Sequence, residues 1–195
     1  MNYTDIENVE NYTLQEIATA YEPQVTEWIE AVSRMFDQMA NRTIVAAPEE
    51  SGQELEARYF DGNGRAVLPI DECVELGTVK VGDEYGENFT EIADPVRFPR
   101  TGAIRRIIHR SGIFDCGIQN VEVTGRWGYL DELPKDLEFA ATVVVAGIIN
   151  AQRPTGQAKT SEKIGNYQVT YSSDRGIADY NRALGIVESY KRHAL

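Results

Sequence analysis

The chain has 195 residues, 42% hydrophobic and 26% charged, a composition ordinary for a soluble globular protein able to build its own core. With 19 Lys and Arg against 31 Asp and Glu, its formal net charge is −12. That balance argues against a surface that wraps DNA or docks on anionic lipid, both of which need clustered cations, but not against one that DNA merely passes.

The first third reads helical. Thr13-Leu14-Gln15-Glu16 has the form of a capping box and predicts a short helix to about Ala20. Pro23 suits the first turn of a second helix, in which Val25, Trp28, Ile29, Val32, Met35, Phe36 and Met39 form one apolar face to about Asn41. Short β-runs come next. Ala57–Phe60 and Ala66–Leu68 flank Asp61-Gly62-Asn63-Gly64, a hairpin signal, and Pro69 ends the second run or places it at an edge. Val74–Val81 alternates with a slip at Gly77 that suggests a bulge. Asn88–Ala93, Ile104–Arg110 and Val121–Trp127 are further strand candidates. Pro134 opens a helix to about Gln152 whose centre, Phe139–Ile149, is apolar on all sides and must be enclosed. Arg153–Lys163 reads as a polar loop and Asn166–Ser172 as a strand or hairpin. A last helix starts near Gly176, with Ile177, Tyr180, Leu184, Val187 and Tyr190 as its stripe. The fold class expected is α+β: a small helical bundle, about residues 1–45 and 131–195, with an antiparallel β-module inserted at about 55–130.

Motifs that carry chemistry are scarce. Met1–Asp5 has neither a basic nor an apolar region of a signal peptide, and Phe139–Ile149 is shorter than the ~20 residues of a membrane span. Cys73 and Cys116 lack CxxC spacing and read as two buried free thiols. Asp61–Glu72 imitates a calcium loop, but Arg65 and Ala66 stand where an oxygen ligand and a glycine are needed. Gly156–Thr160 lacks the glycines of a phosphate loop. Asp71-Glu72 and Asp131-Glu132 are neighbours in sequence, not a carboxylate pair across a cleft. Arg105, Arg106, His109 and Arg110 form the one basic cluster, suited to phosphate, to an acidic partner, or to ion pairs with the acidic N-terminal part. No catalytic, cofactor-binding or metal-ligating residue is expected. Charge is uneven: residues 1–95 hold 21 acids and 5 bases, residues 96–195 hold 10 acids and 14 bases. That split suits an interaction protein or a solvated acidic face.

One segment is distinctive. Asn120-Val121-Glu122-Val123-Thr124-Gly125-Arg126-Trp127-Gly128-Tyr129, followed by Pro134-Lys135-Asp136-Leu137-Glu138-Phe139-Ala140-Ala141, resembles the signature of tailed-phage head–tail connector (head-completion or adaptor) proteins. In that family a strand NVxVTGxWGY precedes xxPxDL/IxxAA at the start of a long helix. Arg58–Gly62, Val67–Asp71, Ile164–Tyr171 and Glu188–Arg192 are similar to further parts in the same order, so the likeness spans about residues 13–192. The resemblance implies a ring, typically of twelve copies, beneath the portal protein. It would complete the head, extend the DNA channel without sequence-specific binding, and dock the tail or a stopper. Val121, Val123, Gly125, Trp127, Gly128, Tyr129 and Pro134 would anchor the β-module to the helix. Arg153, Lys159, Lys163, Tyr190, Lys191 and Arg192 would meet the portal or a neighbour, and the acidic part would face the lumen or one side of the ring. Such a protein is expected in the host cytoplasm during assembly and then in the virion. The competing reading is an acidic intracellular α+β enzyme or ligand-binding domain whose site is assembled from residues distant in sequence.

Overall fold

The computed structural model describes residues 1–48, 55–152, 161–164, 167–170 and 174–192. Arg153 and Lys159 lie outside these, as does most of the segment read as a loop. The fold is α+β, with four helices and a six-stranded antiparallel sheet among the described residues. The chain divides into two compact units: Asn2–Ala40 with Leu133–Leu195, which holds the helices, and Asn41–Glu132 (with Met1), which holds the sheet.

In the helical unit α1 spans Ile6–Thr13, α2 Glu22–Ala40, α3 Lys135–Gln152 and α4 Asp174–Ser189. The expected helix from Thr13 to Ala20 is not formed; Thr13 ends a helix instead. Asp5 is the N-cap, accepting from the Asn8 N–H at 2.7 Å, and Leu14 closes the helix in the left-handed region (φ 55°). The Thr13 hydroxyl donates back to the Val9 carbonyl at 2.9 Å, so it does not cap a helix of its own. On α2, Val25, Ile29, Val32, Phe36 and Ala40 are buried at three- and four-residue steps. Trp28 and Met35 flank that stripe half-buried and Met39 is exposed, so the buried face is narrower than the sequence suggested.

Helix α3 follows directly on Pro134, whose carbonyl accepts from the Glu138 N–H at 3.0 Å. Leu137 and Ala140–Ala146 are buried on every side, and α3 packs against α1, α2 and α4. Enclosure stops at Ala146; Gly147 is exposed and Ile148 and Ile149 are half-buried. Thr142 is tolerated inside because its hydroxyl meets the Glu138 carbonyl at 2.8 Å and the Thr4 hydroxyl at 2.7 Å. On α4 the buried residues are Ala183 and Val187 while Tyr180 is exposed, so the apolar stripe is rotated from the one predicted. Strands β7 (Ser161–Ile164) and β8 (Tyr167–Thr170) form a two-stranded ribbon. Residues 161–163 are therefore strand, not loop, and Lys163 pairs in register with Gln168.

The sheet unit contains β1 (Glu56–Gly62), β2 (Val67–Val81), β3 (Thr90–Glu91), β4 (Val96–Phe98), β5 (Ile104–Ile108) and β6 (Gly117–Trp127). Strand order is β1-β6-β2-β5-β4, with β3 on the end of β2. The Asp61–Gly64 turn therefore does not join a hairpin: β1 and β2 lie on either side of β6. Asn63 still makes a turn, accepting from the Arg65 N–H, whereas Asp61 accepts from the Gln119 N–H at the start of β6. Besides β3, strand β2 serves two longer neighbours. Val67–Cys73 pairs with β5 and Cys73–Val81 with β6. Pro69 is accommodated because that stretch has only β5 beside it. Register slips between Cys73 and Glu75 and between Leu76 and Val79 bend the strand, the second at the Gly77 bulge expected from the sequence. The bent sheet encloses Leu68, Ile70, Cys73, Leu76, Val79, Ile104, Ile107, Phe114, Val121, Val123 and Trp127. Burying each large aliphatic or aromatic side chain of this cluster stabilises the unit by about 1.5–3 kcal/mol relative to exposure.

Candidate functional site

The distinctive Trp-Gly-Tyr segment ends β6 and ties the sheet to the chain that enters it. Val121 and Val123 are fully buried, as their alternation predicted. The Trp127 ring lies in the core against Phe60 and under the Arg58 guanidinium, 4.7 Å from the ring centre, and its Nε1–H donates to the Glu56 carbonyl at 2.9 Å. Two glycines are required by close approach. A Cβ on Gly125 would sit 2.7 Å from Cys73 Sγ and 2.8 Å from the Glu75 carbonyl. One on Gly128 would sit 2.4 Å from the Ala46 nitrogen. That contact lets residues 43–46 run beside 128–130. The Tyr129 N–H donates to the Thr43 carbonyl, Leu130 N–H to the Ile44 carbonyl and Ala46 N–H to the Leu130 carbonyl, at 2.8–3.0 Å. The Arg42 guanidinium lies 4.3 Å over the Tyr129 ring and meets the buried Glu72 carboxylate at 3.4 Å; Arg105 reaches the same carboxylate at 3.0 Å. Arg126 spans Glu75 at 3.3 Å and Asp131 at 2.5 Å. These are structural roles.

The opposite end of β6 is different in kind. Residues 83–89 form a loop organised by one carboxylate: Asp83 Oδ1 accepts from the Tyr85 and Glu87 N–H groups at 3.0 Å, and Oδ2 from the Asn88 amide at 2.8 Å. The Glu87 N–H first and the Asn88 amide next hold the Asp83 carboxyl below the ordinary carboxylate range. The loop presents Tyr85 beside Ile118, Phe89 and Tyr59, around a groove of about 540 Å³. Behind it, Glu122 accepts from Lys80 at 2.6 Å and from the Tyr59 hydroxyl at 3.0 Å. Lys80 holds the Glu122 carboxyl low, and Glu122 in turn raises the Lys80 and Tyr59 groups. Sequence reasoning did not select Tyr59, Tyr85 or Ile118. The available signal was Gly82-Asp83-Glu84-Tyr85-Gly86, a large aromatic in a polar turn, where a core role is unavailable to it.

The other residues singled out in the sequence are spread over both units. Arg105 faces Glu72, an ion pair with the acidic part, while Arg106 and Arg110 are exposed and His109 sets its ring edge against Phe114. Lys191 and Arg192 are exposed just beyond α4; the Lys191 ammonium is 3.6 Å from Glu188, and the Arg192 N–H donates to the Ala40 carbonyl. The Tyr190 hydroxyl donates to Asp136 at 2.9 Å, tying the end of α4 to the start of α3. Of the two thiols only Cys73 is buried, its pKa pushed up to about 11 by that burial; Cys116 is exposed, contrary to expectation, because it precedes β6 in the chain rather than lying within a strand. Among the described residues no three His, Cys, Asp or Glu side chains gather as a metal-holding group, and no helix is long and apolar enough to cross a membrane.

No family profile and no curated protein sequence matches the chain. Solved structures do. A chain of the virion of the native gene transfer agent particle superposes with a TM-score of 0.59 at 12% identity, over 97% of this chain and 89% of that one. A chain of the neck of the empty particle, computed with C6 symmetry, superposes with a TM-score of 0.57 at 10% identity, over 93% and 84%. At such identity the likeness establishes the fold. The chain thus has the fold of gene transfer agent neck and virion components, and it is the fold implied by the connector resemblance of its sequence.

Proposed function

We propose that the protein is a structural, non-enzymatic subunit of the neck of a tailed-phage-like virion, assembling as a ring beneath the portal protein. The ring would complete the head, continue the DNA channel and dock the tail or a stopper. The observation that carries this reading is the fold shared with a neck chain over 93% of the protein. The Asn120–Ala141 signature, found independently in the sequence, supports it. Twelve copies is the number the resemblance implies. Carboxylates on a channel wall repel phosphates, so the acidic part would let DNA slide rather than grip it. Arg153, Lys159 and Lys163, with the C-terminal Tyr190, Lys191 and Arg192, would face the portal; the exposure of Lys191 and Arg192 supports that assignment. Assembly would take place in the host cytoplasm.

Electron-microscopic imaging of the purified protein, alone and mixed with portal protein, tests the reading. Rings under either condition support it, and a monodisperse monomer under both overturns it. Deleting residues 154–163 should abolish capture by portal protein. Capture that survives the deletion would remove this segment from the portal-facing surface.

A further inference from the structure

The sheet unit carries two exposed apolar patches of opposite charge, at opposite ends of β2. At its start, Phe98 on β4 (48% exposed) stands in register with Arg106 on β5, which stands in register with Pro69; Val67 is exposed two residues before. Residues 96–114 contain five arginines and no acid. Of these only Arg105 has a carboxylate partner among the described residues, while Arg100, Arg106 and Arg110 are exposed. At the other end, Tyr85 (79% exposed) and Ile118 (76%) rim the groove held by the Asp83 loop. Residues 82–95 contain five acids and no base, with Glu84 and Glu87 exposed. Pro69 and Val81 are twelve residues apart on β2, which bends between them, and Arg97 reaches the Leu76 carbonyl at 3.3 Å. The two patches are built from different elements: β4, β5 and the start of β2 at one, the Asp83 loop and the start of β6 at the other.

Two different, complementary surfaces on every copy are what a head-to-tail contact needs, and such contacts build a ring when the rotation between copies closes. A two-fold axis through either patch would instead set that patch on itself, like charge against like, which repulsion disfavours. We infer that the acidic Tyr85–Ile118 patch of one copy receives the Phe98–Arg106 patch of the next. The apolar side chains exclude water from the contact and the charges set its direction. The inference rests on the reading of the protein as a ring subunit.

Two charge-reversed proteins test it: Arg106→Glu/Arg110→Glu and Glu84→Arg/Glu87→Arg. All four side chains are exposed, so both proteins should fold, as circular dichroism would verify. Each alone should assemble at least about tenfold more weakly than wild type, because every contact then sets like charges together. Mixed in equal amounts they should recover rings in which the two alternate, an arrangement that closes for any even copy number. Sedimentation velocity and native mass spectrometry report both states. If either variant assembles like wild type, or the mixture stays dissociated while wild type assembles, the patch assignment is wrong and the ring reading stands. Variants with normal rings but lost portal or tail-protein capture would likewise overturn it, assigning the patches to another partner. A wild-type chain that stays monomeric with and without portal protein overturns both.

Discussion

Glu72 is a carboxylate inside the sheet unit whose side chain is 5% exposed, held by Arg42 (9%) and Arg105 (43%). Neither of its oxygens has a well-directed hydrogen bond, so its burial is offset by charge rather than by hydrogen bonding. Replacing Arg42 by Met removes the buried cation and leaves only the half-exposed one. Breaking a buried pair costs about 3–5 kcal/mol, and Arg105 retains part of that. Loss of the Arg42 stack on Tyr129 adds about 1 kcal/mol, giving roughly 3 kcal/mol for Arg42→Met. Glu72→Met leaves Arg42 stacked but unpaired, at about 2 kcal/mol, while Arg105 relaxes into water. The double variant leaves no buried charge uncompensated and should also cost about 2 kcal/mol, so the coupling between the two sites is about 3 kcal/mol. Urea unfolding read by Trp127 fluorescence measures this, in a Trp28→Phe background so that the one tryptophan reports the sheet unit. Additive losses, near 5 kcal/mol for the double variant, would refute the claim that the two residues form one compensated group.

Gly128→Ala should destabilise the sheet unit by about 1–3 kcal/mol, since the new methyl meets the Ala46 backbone and one strand must move; an unchanged urea midpoint would contradict that close approach. Native protein should react with one equivalent of a thiol reagent at Cys116, and with a second at Cys73 only on unfolding, which a stoichiometric thiol assay reads directly. Asp83 has a folded-state pKa below its unfolded one. Its contribution is therefore fully present above the ordinary carboxylate range and is lost as pH falls through the lowered value, and amide exchange in residues 85–88 should speed up in that acid window. Asp83→Asn should remove this pH dependence; exchange that still accelerates at the same pH would assign it to another group.

The parts of the fold that were legible in the sequence are those in which a local rule and the tertiary structure agree. Pro134 opens α3, and the all-round apolar run after it is buried where α1, α2 and α4 surround it. Gly77 marks a bulge because its neighbours lose register there. The misreadings come from places where a distant partner decides. Asp61–Gly64 carries the chemistry of a tight turn, but β6, more than fifty residues later in the chain, takes the place between the two flanking strands. Thr13 and Glu16 satisfy the spacing of a capping box, yet Asp5 had already started a helix that ends there. Cys116 sits between Phe114 and Ile118 in sequence but just before β6, and its side chain is exposed. Of the candidate site, the Trp-Gly-Tyr segment stood out as a motif, and its contacts with residues 42–46 and 56–60 lie within the sheet unit, whereas the Tyr85–Ile118 patch joins residues far apart in sequence and becomes visible only once β6 begins beside the end of β2.

The charge distribution takes its sense from the same topology. The sequence divides near residue 95 into an acidic and a mildly basic part, but that boundary is not one between folding units: it falls within the sheet unit, between β3 and β4. The five acids of residues 82–95 and the five arginines of 96–114 are adjacent in sequence. Yet β3 pairs with the last residues of β2, while β5, in register with β4, pairs with the first. One long strand thus carries the two charge runs apart. A net charge spread evenly would keep copies apart by repulsion. The five acids and five arginines add nothing to the net charge, but held at two ends of a 15-residue strand they give the unit a direction. A subunit with a direction can repeat around a ring, and an excess of acid elsewhere on its surface does not oppose that repeat so long as the contact itself is complementary.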